Sequence, residues 1–181
     1  MNIRKRQSGF TLAEMLMTVA VFSILSVVVS NIFLNVNKLQ RQTAVLQRVQ
    51  NEGRYMIEKI AREVRAREVA YPLTNPQPDL LFLEDEQGDI LKIAYADSNN
   101  DEIKDVINYI LNNEPAQLNA EDIEVTGLSF FVAPTLEDEW SLEPKTNIQP
   151  RVTILLKLRS RGPIAVETTV QTTISSKIYR R

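Results

Sequence analysis

The 181-residue chain contains no cysteine and no histidine. Without cysteine no disulfide can staple a domain, so any folded part of the chain must hold together through its core alone. Without histidine, serine-histidine and cysteine-histidine nucleophile pairs are excluded, as are zinc sites built on imidazole. The five glycines form no glycine-rich phosphate loop. Carboxylate pairs and a serine-lysine arrangement remain chemically possible, but no motif marks either.

Charge is missing as well, and in one place: no charged residue occurs from Met15 to Asn37. That run exceeds the ~20 residues a helix needs to cross a hydrocarbon core of ~30 Å. Arg4, Lys5 and Arg6 precede it, so the positive-inside rule keeps the amino end cytoplasmic and sends everything after Lys38 across the membrane. The exception in the apolar stretch is Glu14, near its start. A carboxylate costs roughly 2.5 to 3.5 kcal/mol at mid-bilayer, and such residues are usually functional. The formal net charge is −2 with the three leader cations included, so removing them leaves an acidic chain. That argues against nucleic acid as a direct partner.

Ser8-Gly9-Phe10-Thr11-Leu12-Ala13-Glu14, behind a basic leader and ahead of an apolar helix, resembles the processing site of type IV prepilins and type II secretion pseudopilins. The resemblance implies removal of a leader, residues 1–9, by a prepilin peptidase cutting between Gly9 and Phe10. It implies N-methylation of Phe10, and makes Glu14 the carboxylate used in assembly. It also implies a single-pass protein of the inner membrane, in contact with lipid, with other major and minor pilin or pseudopilin subunits and with an inner-membrane assembly platform. Neither catalysis nor a cofactor is implied. Many members close their carboxy-terminal region with a disulfide, and this chain has none. The segments EGRYMIEKIAREVR (52–65), EDIEVTGLSFFV (121–132) and PRVTILLKLRSR…TTVQTTISSKIYRR (150–161 and 168–181) resemble minor subunits of the W or J type.

Two other readings of this stretch stay open. Thr11 with Glu14 also spells a capping box, in which the pair satisfies the free amides of a helix start. Met15 to Val29 could serve as the apolar core of an ordinary secretory signal, with Val28 and Ser30 as its cleavage site. Against the second, no helix breaker follows the run.

The helical pattern continues instead. Leu39, Leu46, Val49, Gly53, Met56, Ile57, Ile60 and Val64 recur at intervals that place them on one stripe. Arg41, Arg48, Lys59, Arg62 and Glu63 take the other side, and Glu58 with Arg62 and Glu63 with Arg67 are spaced for helix ion pairs. Gly53 costs about 1 kcal/mol relative to alanine, which suggests close approach by a neighbouring backbone. Pro72 forces the helix to stop by about Ala70. The expected helix is therefore residues 10–70, with about 10–33 in the membrane, and PLTNPQP (72–78) is a linker.

From Asp79 the period changes to alternation. Strands are expected at Leu80 to Glu84, Ile90 to Ala96, Val106 to Leu111, Ile123 to Val132, Arg151 to Arg159 and Ile164 to Ile178. Gln87-Gly88 and Arg161-Gly162-Pro163 mark hairpins. Val152, Ile154, Leu156 and Leu158 alternate with more polar neighbours, so one face of the sheet is buried, and the apolar stripe of the helix is its natural cover. The expected fold is α+β: a long amino-terminal helix packed on an antiparallel extracytoplasmic β domain at 71–181, which is the pilin fold.

DSNNDEIKD (97–105) places Asp97, Asn99, Asp101 and Asp105 like the first four side-chain ligands of a calcium loop. Glu102 replaces the turn glycine and Asn108 the closing glutamate, so an acidic solvated turn is the competing explanation. Glu137, Asp138, Glu139 and Trp140 form a second acidic loop, either a partner contact or a lid on the sheet. These features point to an assembly subunit, processed and then polymerised, acting as a minor pilin or pseudopilin. The rival is a binding or sensory module on an uncleaved signal anchor.

Overall fold

The computed structural model describes residues 9–70, 78–99, 101–112, 114–135 and 149–176. Among these residues there are one helix, α1 (Leu12–Ala66), and eight strands. The strands are β1 (Glu68–Val69), β2 (Leu80–Glu84), β3 (Ile90–Ala96), β4 (Val106–Leu111), β5 (Glu114–Gln117), β6 (Ile123–Ala133), β7 (Arg151–Ser160) and β8 (Glu167–Ser175). The chain divides into two compact units, the first ending at Thr43 and the second starting at Ala44.

Among its described residues the first unit is helix from Leu12 onward. From Gly9 to Thr43 the described residues are exposed, apart from half-buried Asn37. Phe22, Ile24, Val29 and Phe33 are each more than 60% exposed. By length and composition α1 is able to cross a membrane, and it is the one such helix among the described residues.

In the second unit the expected stripe is buried. Val49, Met56 and Val64 have no exposed surface and Ile60 has 1%, with Ala61 beside them. Each fully buried side chain of this size contributes about 1.5 to 3 kcal/mol. Leu46 and Ile57 are half-buried, and Leu39, in the first unit, is exposed. The stripe joins the inward residues of the strands in one hydrophobic cluster. A Cβ on Gly53 would lie 3.0 Å from Leu158 Cδ1 and 3.2 Å from Val170 Cγ2, so side chains of β7 and β8, and not a backbone, make the close approach.

Two antiparallel sheets cover the stripe, where a single sheet was expected. One has the order β1-β2-β3-β4-β5 and the other β6-β7-β8. Alternation along a strand reports burial but not sheet membership, which explains the difference. In β7 the expected residues Val152, Ile154, Leu156 and Leu158 have no exposed surface. In β6 the buried set changes phase, from Ile123 and Val125 to Leu128 and Phe130, at a bulge between Val125 and Gly127. The edge of β6 is tied to the five-stranded sheet's flanking loops by Val125 N to Asp105 O at 2.9 Å and Phe130 N to Pro78 O at 2.6 Å.

Several boundaries differ from expectation: the helix starts at Leu12 and not at residue 10, and β6 and β7 each run one residue further, to Ala133 and Ser160. The helix ends at Ala66, ahead of the limit set by Pro72, because Glu68 and Val69 pair with Glu84 and Leu83 as β1. β5 was not expected: Glu-Pro-Ala-Gln has no apolar alternation, and its pairing with β4 places Pro115 on an edge, where a missing N–H is tolerated. β8 starts at Glu167 and not at Ile164, because Ser160 Oγ donates to Ile164 O at 2.6 Å and accepts from Val166 N at 3.0 Å, holding the turn. The Gln87-Gly88 hairpin forms as expected, with Gly88 at φ +88°. The leader through Ser8, residues 72–77 of the linker, the Glu137 to Trp140 loop and the expected end of the last strand at Ile178 lie outside the described residues.

Candidate functional site

Gly9 and Phe10 precede the helix and are exposed, Phe10 to 81%. A side chain on Gly9 would meet nothing within 4 Å, so the fold of this chain does not demand a glycine there. Thr11 caps the helix. Its Oγ1 accepts from Glu14 N at 3.3 Å, and the Glu14 carboxylate accepts both from Thr11 N and from Thr11 Oγ1 at 2.9 Å. The capping box is therefore formed, and it satisfies two amides that a helix start leaves free. These donors are neutral, so the Glu14 charge remains without an opposite charge among the described residues.

Beyond Glu14 the polar groups of the charge-free run turn inward on the helix itself. The hydroxyls of Thr18, Ser23, Ser26 and Ser30 donate to the carbonyls of Met15, Val19, Phe22 and Ser26 at 2.8 to 2.9 Å. A hydroxyl satisfied this way needs no water, which lowers its cost in a hydrocarbon environment. Glu14 is thus the one charged group in a segment otherwise suited to lipid.

The loop between β3 and β4 spends its acidic side chains on its own backbone. Asp97 accepts from Asn99 N and Glu102 N, and Asp101 accepts from Ile103 N and from Asn99 Nδ2. Asn99 Oδ1 accepts from Asp101 N at 3.2 Å. Asp105 is buried, accepting from Ser98 N and Oγ and pairing with Arg161. Burial pushes its pKa up, but the Ser98 bonds and the guanidinium outweigh this and hold it below the usual carboxylate range. Among the described residues no three His, Cys, Asp or Glu gather as a metal site. In this arrangement the side chains of Asp97, Asn99, Asp101 and Asp105 stabilise the turn, and Glu102 stands at φ +69° where calcium loops carry glycine.

Ion pairs join the second unit's part of α1 to the sheets. Arg67, with its side chain only 14% exposed, binds Glu63 at 3.2 Å and Asp85 in the β2–β3 turn at 2.9 Å. Asp85 is held below the usual range although burial acts the other way, because the amides of Asp89 and Gln87 and the Arg67 charge favour its ionised form. Arg48 pairs with Asp122, and Lys59 lies 5.2 Å from the centre of the Tyr109 ring. The expected Glu63–Arg67 pair is present, and Glu58–Arg62 is not among the ion pairs of the described residues. Asn119, which the sequence did not single out, is buried and bridges Ile107 N and Ile123 O. These contacts position the sheets.

Residues 4–30 match the family model of the prokaryotic N-terminal methylation motif, the signature of type IV prepilins and pseudopilins. No curated protein and no solved structure matches the chain. The chain therefore joins a prepilin-type amino terminus to a long apolar helix and an antiparallel β domain.

Proposed function

We propose that this chain is a minor pilin or pseudopilin. A prepilin peptidase cuts between Gly9 and Phe10, Phe10 is N-methylated, and the product leaves the inner membrane to enter or prime a type IV pilus or secretion pseudopilus. On this reading residues 1–9 are the leader, about 10–33 span the membrane, and 71–181 form the extracytoplasmic domain. The chain catalyses no reaction. Its partners are the peptidase, the assembly platform and other subunits.

The observation that carries the reading is Glu14, charged and, among the described residues, partnered by neutral donors, the fifth residue after the expected cut inside the matched motif. Cleavage creates an α-amino group on Phe10 with an unperturbed pKa near ~8, mostly cationic at neutral pH. A neighbouring subunit's new amine, 4 Å from this carboxylate at an effective dielectric of 20, attracts it by roughly 4 kcal/mol. That gain exists only on assembly.

The capping box favours a second reading, in which Glu14 only starts the helix of an uncleaved anchor. Glu14→Gln separates the two, because glutamine still completes a capping box but carries no charge. The expected result is normal membrane insertion with a several-fold lower fraction of tagged protein in sheared filaments, or fewer filaments per cell for a priming subunit. Glu14→Leu inserts equally well and assembles no better. Normal filaments from both variants would leave Glu14 as a cap.

A further inference from the structure

The second unit divides its charge unevenly. From Arg48 to Arg67 six Lys or Arg stand against three Asp or Glu, while from Glu68 to the end ten stand against nineteen. Three of the helix cations have partners: Arg48 with Asp122, Lys59 with the Tyr109 ring, and Arg67 with Glu63 and Asp85. Arg54, Arg62 and Arg65 have no acidic partner among the described residues, and all three are exposed. At 100° per residue they share one side of α1 with Glu58 and with Tyr55, which is 51% exposed. Exposed arginine beside tyrosine is the composition of interface centres.

The complementary charge sits at one end of the five-stranded sheet. The register Leu91↔Leu111 with Leu111↔Glu114 brings the β2–β3 and β4–β5 turns to the same end. Glu86, Asp89 and Glu114 are exposed there, and Arg67, a cation in contact with that end, is already bound to Asp85. A phosphate-rich polyanion fits the helix face less well, because Glu58 lies within it and the rest of the unit is acidic. Discrete guanidiniums facing discrete carboxylates fit better, and this chain carries both sets. Net repulsion between two acidic copies is screened beyond ~8 Å at physiological ionic strength, so the local patches decide.

We propose that the Arg54, Arg62 and Arg65 face of α1 docks on the Glu86, Asp89 and Glu114 end of a second copy of this chain. Made head to tail, such a contact leaves each copy with one surface free and continues from copy to copy as an open array where the rotation does not close. The proposal rests on the polymerisation reading and adds that copies are adjacent in the assembly.

The absence of cysteine makes the test direct. The full-length chain carrying Arg62→Cys with Glu86→Cys, oxidised in membranes and in sheared filaments, is expected to give a ladder of dimers and higher species, while either single variant gives none beyond dimers. Arg62→Glu with Arg65→Glu, and separately Glu86→Arg with Glu114→Arg, are each expected to lower the cross-linked fraction about tenfold. Combining all four reversals restores it to within about twofold of the parent, since the charges are exchanged and still complementary. Reversals without effect overturn the proposal. A helix-face defect that the combined swap does not rescue overturns it too, and assigns the arginines to a different acidic surface, another subunit or anionic lipid. Filaments containing methylated Phe10 but no ladder overturn the docking surface alone, whereas an uncleaved chain and no filaments overturn the polymerisation reading with it.

Discussion

α1 contains two apolar regions with opposite fates. Between Leu12 and Thr43 the large apolar side chains lie on every side of the helix and all are exposed. From Val49 to Val64 they lie on one side, and Val49, Met56, Ile60 and Val64 are covered by the chain's own sheets. The difference is one of periodicity and not of hydrophobicity. A stripe asks for one covering surface, which the two sheets together supply, while an all-round apolar helix is satisfied by lipid or by other helices. The second unit is therefore complete within one chain, and the first is not.

The largest expected effect breaks that comparison by exchanging environments. Met56→Asp places a carboxylate with no partner in the core, at about 5 kcal/mol or more, and abolishes the cooperative thermal transition of a chain starting at Ala44. Ile24→Asp in the full chain leaves the domain's transition unchanged, but reduces membrane retention through a cost of about 3 kcal/mol per insertion. Circular dichroism melts and membrane fractionation read the two. Equal effects of both substitutions on the melt would erase the distinction.

A middle-sized effect is expected at Asp105. Asp105→Asn removes the partner of Arg161 and weakens the Ser98 turn, costing about 2 kcal/mol in denaturant titrations. The folded pKa of Asp105 is depressed, as are those of Asp79 beside Lys104 and Asp122 beside Arg48. Their contribution is thus fully present above the unfolded pKa of ~3.9 and is lost as pH falls through the lower folded values. Stability is expected to be flat from about pH 5 to 8, where no histidine titrates, and to fall below about pH 4, less steeply in Asp105→Asn. Millimolar calcium is expected to leave the melting temperature unchanged, since the loop carboxylates already serve the backbone.

The smallest effect is expected where charge is wet. The Arg48–Asp122 side chains are 65% and 49% exposed, so Arg48→Ala changes stability by no more than about 0.5 kcal/mol, and high salt reduces even that. A larger loss in the same titration would mean that the pair helps fix the helix on the sheets.

Local periodicity carried most of the architecture. The stripe from Val49 to Val64, the β2–β3 hairpin and the burial of β7 were legible because a 3.6-residue or two-residue period is written in consecutive residues. What was not legible depends on partners far away in sequence. β5 exists through its pairing with β4, and the division into two sheets depends on which strands meet. The ion pair of Asp105 with Arg161, fifty-six positions later, carries no local signal either. At the amino terminus the motif Gly9-Phe10-Thr11-Leu12-Ala13-Glu14 was readable at once, because its recognition is local. The same letters also spelled the capping box that the structure forms, and geometry within one chain does not decide between a cap and an assembly charge.

Intact mass of the protein extracted from membranes tests the central claim most directly, because cleavage and methylation both change it. The account predicts a chain that starts at Phe10 and carries one added methyl group, with Gly9→Val blocking the cut. A chain that retains Met1 would contradict it in favour of an uncleaved anchor, and one that starts at Asn31 would contradict it in favour of an ordinary secretory signal.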